Sequence, residues 1–196
     1  MTSIDLTEST RRVAAVVRGI EDAHHYAPTP CPEMPVHQLL AHLHGLAIAF
    51  RDAARKIDGP TTHTAPDPSR LELSEDWRET LPAELENLAA AWNETGARTG
   101  TTTAGAQTMP AEVAVLVALD EVVLHGWDLA VATGQDYAVE QQALDAVEQF
   151  CAGIPEEPGE REGLFGPRVP VPADAPQLDR VLGLSGRDPG WRPPVH

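Results

Sequence analysis

The sequence predicts an all-α protein, a bundle of helices followed by an irregular Pro-rich C-terminal tail. Three observations predict it. Alanine is abundant while aromatic residues are only 5% of the 196 residues, a bias toward helix over sheet. Apolar residues recur at helical spacing in successive segments. Proline and glycine clusters separate those segments and supply the breaks between them.

Residues 4–25 read as the first helix, with Leu6, Val13, Val16, Val17 and Ile20 on one face. The stretch 26–35 (YAPTPCPEMP) ends it, because each proline lacks a donor and restricts the residue before it. Pro35 suits the first turn of a second helix reaching about Lys56, whose stripe is Val36, Leu39, Leu40, Leu43, Ala47, Phe50 and Ala54. Residues 58–75 read as a polar, Pro-rich loop. A third helix runs from about Asp76 to Thr95 and stops at Gly96. The run GARTGTTTAGAQTMP is small and polar and reads as a mobile connection.

The fourth helix, 111–133, is the informative one. Of its 23 residues 16 are Ala, Val, Leu or Trp, so it is apolar nearly all round and belongs at the centre. Gly134 stops it. A fifth helix spans about Val139 to Ala152, and one short helix lies near Pro176–Leu184 in the tail. No internal repeat is present. The expected organisation is a helical, metal-binding domain over 1–155 and a Pro/Gly-rich tail over 156–196 whose short helix packs on the bundle.

A formal net charge of −16 repels phosphate backbones and anionic lipid heads, which sets nucleic acid and membrane surfaces aside as partners. No run approaches the ~20 apolar residues that span a bilayer. The N-terminus MTSIDLTESTRR lacks the basic start and apolar run of a signal peptide, so a cytoplasmic location is expected. Cys31 and Cys151 form no Cys-x-x-Cys pair, and the sequence gives no sign of a disulfide framework, a thiol metal site or a redox motif.

The chemistry-bearing residues sit on the central helix. Glu121 and His125 are four apart, on one face, spaced to close on one cation. Ala114, Val117, Ala118 and Leu124 lie on the same side, and a carboxylate among them is costly unless paired or metal-bound. A buried Glu–His hydrogen bond would also lower that cost, so spacing leaves both readings open. A third ligand must come from another helix. His42 and His44 project about 200° apart. His44 shares its flank with His37, Arg51 and Arg55, while Leu39, Gly45, Leu46 and Ala49 flank His42, which favours His42. Asp128, three beyond His125, either orients that imidazole or is a surface charge. His24, His25, His63 and His196 receive no role.

Three stretches carry a family resemblance. TPCPEMPVHQLLAHLHG resembles the start of the second helix in mycothiol-dependent maleylpyruvate isomerase-type N-terminal domains, part of the DinB-like superfamily of four-helix-bundle metalloproteins. DEVVLHGWDLAVATGQ resembles that family's Glu-x-x-x-His motif followed by Gly-Trp-Asp-Leu-Ala. FGPRVPVPADAPQLDRVLGLSGRDPGW resembles the C-terminal signature of a branch known only as metal-binding. The resemblance implies a DinB-like four-helix bundle with an extra helix, and metal ligands at His42, Glu121 and His125. It implies zinc as the usual metal, with mycothiol or another low-molecular-weight thiol as co-substrate. Bundles of this family often pair, so a homodimer is compatible with it. The family's isomerase also has an additional C-terminal domain that contributes a catalytic arginine. Here there is only a tail, with Arg168 and Arg187 at positions no motif matches to that role, so the isomerase reaction itself is not implied.

Two histidines and one carboxylate leave a position open on a tetrahedral metal, the pattern of a catalytic site. The same set also suits iron(II) or nickel. Three classes follow: a thiol-dependent transferase or isomerase acting on a small-molecule substrate, a hydrolase using metal-bound hydroxide, and a non-catalytic module that binds metal or a small ligand. No Ser or Cys nucleophile motif and no Gly-rich phosphate loop appears in the sequence.

Overall fold

Helix α1 (Thr7–Arg18) opens where the Asp5 carboxylate accepts hydrogen bonds from the Thr7 amide (2.9 Å) and hydroxyl (2.6 Å). It ends at Gly19, short of the expected residue 25, and a single 3₁₀ turn follows at Asp22–His24. These features belong to a computed structural model that describes residues 4–64, 72–161 and 163–194. Gly19 is packed so closely that a β-carbon there would sit 2.2 Å from the Gln135 side chain. The other helices are α2 (Val36–Ala54), α3 (Pro60–His63), α4 (Trp77–Asn93), α5 (Ala111–Ala132), α6 (Gln141–Gly153), α7 (Pro158–Arg161) and α8 (Gln177–Leu184).

Helices α1 and α2 each pack on both α4 and α5, which closes a four-helix bundle. Their apolar faces make one core that includes Leu6, Val17, Leu40, Leu43, Leu81, Leu88, Leu119 and Leu129. Helix α5 is buried over most of its circumference, as its composition demands, and α6 covers its outer side and receives α8 in turn.

Further segments differ from expectation, among them the short helix α7 in a tail expected to hold only one short helix. Within the loop expected over 58–75, Pro60 opens the short helix α3 as its first residue, where its missing N–H costs nothing; residues 65–71 of that loop lie outside the described residues. The connection expected to be mobile is a β-hairpin, β1 (Thr101–Ala104) with β2 (Gln107–Pro110), paired antiparallel from Thr101↔Pro110 to Ala104↔Gln107. Gly105 and Ala106 both take left-handed conformations (φ 56° and 67°), as a two-residue hairpin turn requires. The threonines that looked merely polar are β-branched and suit a strand. Thr102 donates to the Ala53 carbonyl at 2.5 Å, and the Thr103 and Thr108 hydroxyls pair across the ladder at 3.0 Å.

Gly126 sets the approach of α1 to α5. A β-carbon there would meet the Tyr137 hydroxyl and a Val13 methyl, each at 2.5 Å. Tyr137 itself donates to the Val123 carbonyl at 3.1 Å. Gly126→Ala gains about 1 kcal/mol of helix propensity, but overpacking of this kind costs about 1–3 kcal/mol. Net destabilisation is the expected outcome in a denaturant titration, and a variant more stable than wild type would refute the close-approach reading.

Candidate metal centre

Helix α5 presents Asp120, Glu121, His125 and Asp128 along one stretch of its length. His125 is the hub. Its Nε2 lies 3.0 Å from Glu121 Oε2, and its Nδ1 lies 3.0 Å from Asp128 Oδ2. Helix α2 brings His42 alongside, edge-on to the His125 ring with centroids 5.2 Å apart. His42, Glu121 and His125 thus offer ligand atoms within 4.8 Å of one another. The expected convergence of α2 and α5 is present. His44 lies apart, near Glu84 and Asp76 of the α4 side.

His42 Nδ1 is buried with no hydrogen-bond partner among the described residues. Burial, reinforced by charge on His125, pushes the His42 pKa down to about 4, so its imidazole is neutral and keeps a lone pair. Burial disfavours charge on His125, but bonds to Asp128, Cys31 and Glu121 outweigh it and hold its pKa well above the ordinary value. Glu121 is likewise held below its usual range by His125, against the effect of its own burial. Without a cation, a Glu121–His125 ion pair therefore occupies the seat. An orphaned neutral imidazole beside a paired carboxylate and imidazole is a donor set that fits a divalent metal. Glu121 keeps 27% of its side-chain surface exposed, against 8% for His125.

Asp128 resolves the choice left open by the sequence: it is fully buried and bonded to His125, so it is no surface charge. Two residues that sequence reasoning gave no role join it. Cys31 Sγ lies 3.2 Å from Asp128 Oδ2 and 4.0 Å from His125 Nδ1, and Cys31, His125 and Asp128 form a second group with metal-ligand spacing. The sequence, lacking a Cys-x-x-Cys pair, gives no sign of a thiol metal site; the loop brings Cys31 to this cluster, held where the Thr29 hydroxyl accepts from the Cys31 amide (3.0 Å) and donates to the Met34 carbonyl (2.7 Å). Arg187 reaches the same point from the tail, with Nε 2.9 Å from Asp128 Oδ1 and Nη2 2.8 Å from Oδ2. Its guanidinium also lies 3.9 Å from Cys31 Sγ, and a fixed positive charge there disfavours a cation on the Nδ1 side of His125. The Nε2 side, facing Glu121 and His42, is the better seat. Arg168, the other tail arginine, points elsewhere, to Glu156 and the Ile154 carbonyl. Among the remaining histidines, His25 packs on Trp77 and His63 pairs with Asp58, while His196 lies outside the described residues.

Asp120, on the flank of α5 toward α6, is 4% exposed and accepts from the Cys151 thiol at 3.3 Å. Burial, then the neighbouring Glu121 charge, pushes its pKa up to about 7. A folded pKa raised above the unfolded one means the fold binds the extra proton. This favours folding at low pH and is lost as pH rises from about 4 through 7. Asp120→Asn is therefore expected to stabilise the protein at pH 8 by on the order of 2 kcal/mol, and by little at pH 4. Thermal melts at the two pH values check this; an equal shift at both would count against a carboxyl that ionises inside the fold.

No helix among the described residues is long and apolar enough to cross a membrane. The fold is similar to that of a crystal structure of a histidine-to-alanine mutant of mycothiol-dependent maleylpyruvate isomerase, with a TM-score of 0.52 and 15% identity. The likeness covers 74% of this chain and 65% of that one, so the chain spans less than two thirds of that protein's length, and at this identity it is a likeness of fold. No curated protein matches the sequence. A family model described as the mycothiol maleylpyruvate isomerase N-terminal domain matches residues 6–130, which include Cys31, His42, Glu121, His125 and Asp128. That match spans well over half of the chain, and the chain belongs to the mycothiol maleylpyruvate isomerase N-terminal domain family.

Proposed function

We propose that this protein is a metal-dependent enzyme that uses a low-molecular-weight thiol of the mycothiol type, a transferase or isomerase acting on a small electrophile. His42, Glu121 and His125 hold the cation, zinc by the family resemblance, although two imidazoles and one carboxylate also suit iron(II) or nickel. The observation that carries this reading is the orphaned His42 Nδ1, buried beside the Glu121–His125 pair. A divalent cation bound there supplies Lewis acidity and lowers the pKa of a coordinating thiol. Asp128 accepts from His125 Nδ1 and leaves Nε2 to face the seat. Glu121 contributes the negative charge that offsets the cation. The Cys31 Sγ–H hydrogen-bonds to Asp128 Oδ2 at 3.2 Å, on the Nδ1 side of His125 and away from the seat.

Elemental analysis of purified wild-type and His42→Ala proteins tests the site. About one equivalent of divalent metal is expected in the first and strong depletion in the second. Consumption of a small thiol with monobromobimane, dependent on added metal, tests the chemistry. Metal-free wild-type protein that takes up no zinc on titration would remove the basis of the reading. Zinc uptake without metal-dependent thiol consumption would retain the site and reject the thiol chemistry.

A further inference from the structure

We propose that Arg187, delivered by the C-terminal tail, is a positioning residue for the metal centre, acting through Asp128 to fix His125 with its Nε2 toward the cation. The inference rests on the metal reading above and extends the centre beyond the matched family domain, which ends at residue 130.

The delivery is local and specific. Past α8, Gly186 adopts a left-handed conformation (φ 85°), its amide donates to the Gly183 carbonyl at 3.1 Å, and the Arg187 amide donates to the Leu182 carbonyl at 2.8 Å. This is the glycine-terminated helix end in which two amides satisfy the last carbonyls and the chain reverses. A β-carbon on Gly186 would meet the Gly166 backbone at 2.7 Å, so glycine is required there twice over. The reversal sends the Arg187 side chain back onto α5.

At α5 the guanidinium forks onto both oxygens of Asp128, through Nε at 2.9 Å and Nη2 at 2.8 Å. Nη1 donates to Ser185 Oγ at 3.3 Å, so the group is engaged by the protein rather than offered to a substrate. The Arg187 side chain is 12% exposed and Asp128 is fully buried. A two-pronged pair fixes the plane of a carboxylate as well as its position. Asp128 Oδ2 then has a set direction from which to accept the His125 Nδ1 proton at 3.0 Å. With Nδ1 committed, the imidazole presents Nε2 to Glu121 and His42. Partners of this kind behind a ligand imidazole contribute about 10–100-fold in metal affinity.

The test is zinc affinity, read by competition with a chromogenic chelator, for the full chain and four variants: Arg187→Ala, Arg187→Lys, Asp128→Asn and Arg187→Ala with Asp128→Asn. Circular dichroism checks folding, and the d–d absorption of the cobalt(II)-loaded proteins reads ligand geometry. Arg187→Ala is expected to weaken binding ~10–100-fold and shift the cobalt spectrum. Arg187→Lys recovers part of the loss, since an ammonium restores charge without the fork. The double variant binds within about twofold of Asp128→Asn alone, because Arg187 has nothing further to act through. Wild-type affinity in Arg187→Ala, or losses that simply add, would overturn the proposal. If Arg187→Ala does not fold, Arg187→Gln replaces it under the same criterion. A wild-type chain without zinc affinity is a separate result and overturns the metal reading together with this one.

Discussion

Purified Glu121→Gln protein is expected to bind zinc at least ~100-fold more weakly than wild type, a larger loss than the ~10–100-fold typical of groups behind the ligands. Glutamine keeps the shape and one oxygen but removes the single negative charge in the proposed ligand set. The effect exceeds that of a surface carboxylate because His125 is 6% exposed and Glu121 is only partly exposed, so less water reaches the site to replace the missing ligand. The variant also loses the ion pair that fills the seat in the metal-free chain, where Glu121 Oε2 stands 3.0 Å from His125 Nε2. Elemental analysis and chelator competition check the outcome. Metal content and affinity equal to wild type would show that Glu121 serves only as the partner of a buried histidine, the other reading its spacing allowed.

Asp128→Ala is expected to destabilise the fold by about 3–5 kcal/mol, the usual consequence of removing one partner of a buried ion pair. Burial works against the charge on Asp128, yet Arg187 and the His125 hydrogen bond outweigh it and hold the carboxyl far below its ordinary range. The Arg187 pKa is raised in return, because the attraction of Asp128 exceeds the effect of burial. Alanine would leave a guanidinium with 12% of its side chain exposed and no counter-charge in place. It would also free the Cys31 thiol and His125 Nδ1 from their shared acceptor. For a chain of this size the loss corresponds to a fall of roughly 10 °C in melting temperature. Adding Arg187→Met should return part of it, since an apolar replacement of both partners removes the unpaired charge. A single Asp128→Ala variant melting alongside wild type would mean that the pair contributes nothing net.

The parts of this protein that were legible in its sequence are those governed by local period. The 111–133 segment is apolar on almost every face, so its central place in the bundle followed from composition, and the four-residue interval fixed Glu121 and His125 on one side of it. The flank of His42 separated it from His44 for the same reason. The hairpin was not legible. Its threonines show no apolar alternation, and the hairpin is held by the Ala53 carbonyl of α2 at Thr102 and by the Thr62 carbonyl of α3 at the turn residue Ala106, partners supplied by other elements.

The sequence by itself determined the six longer helices, their order, and which face of α5 carries the acidic and imidazole groups, because each depends on neighbours within a few residues. Only the tertiary structure decided that Cys31, Asp128 and Arg187 share one buried cluster, with 59 residues separating Arg187 from the carboxylate it grips. No periodicity spans that gap. The glycine reversal after α8 makes the side chain available, but the depth of Asp128 in the packed bundle makes the pairing strong, and depth is a property of the assembled fold.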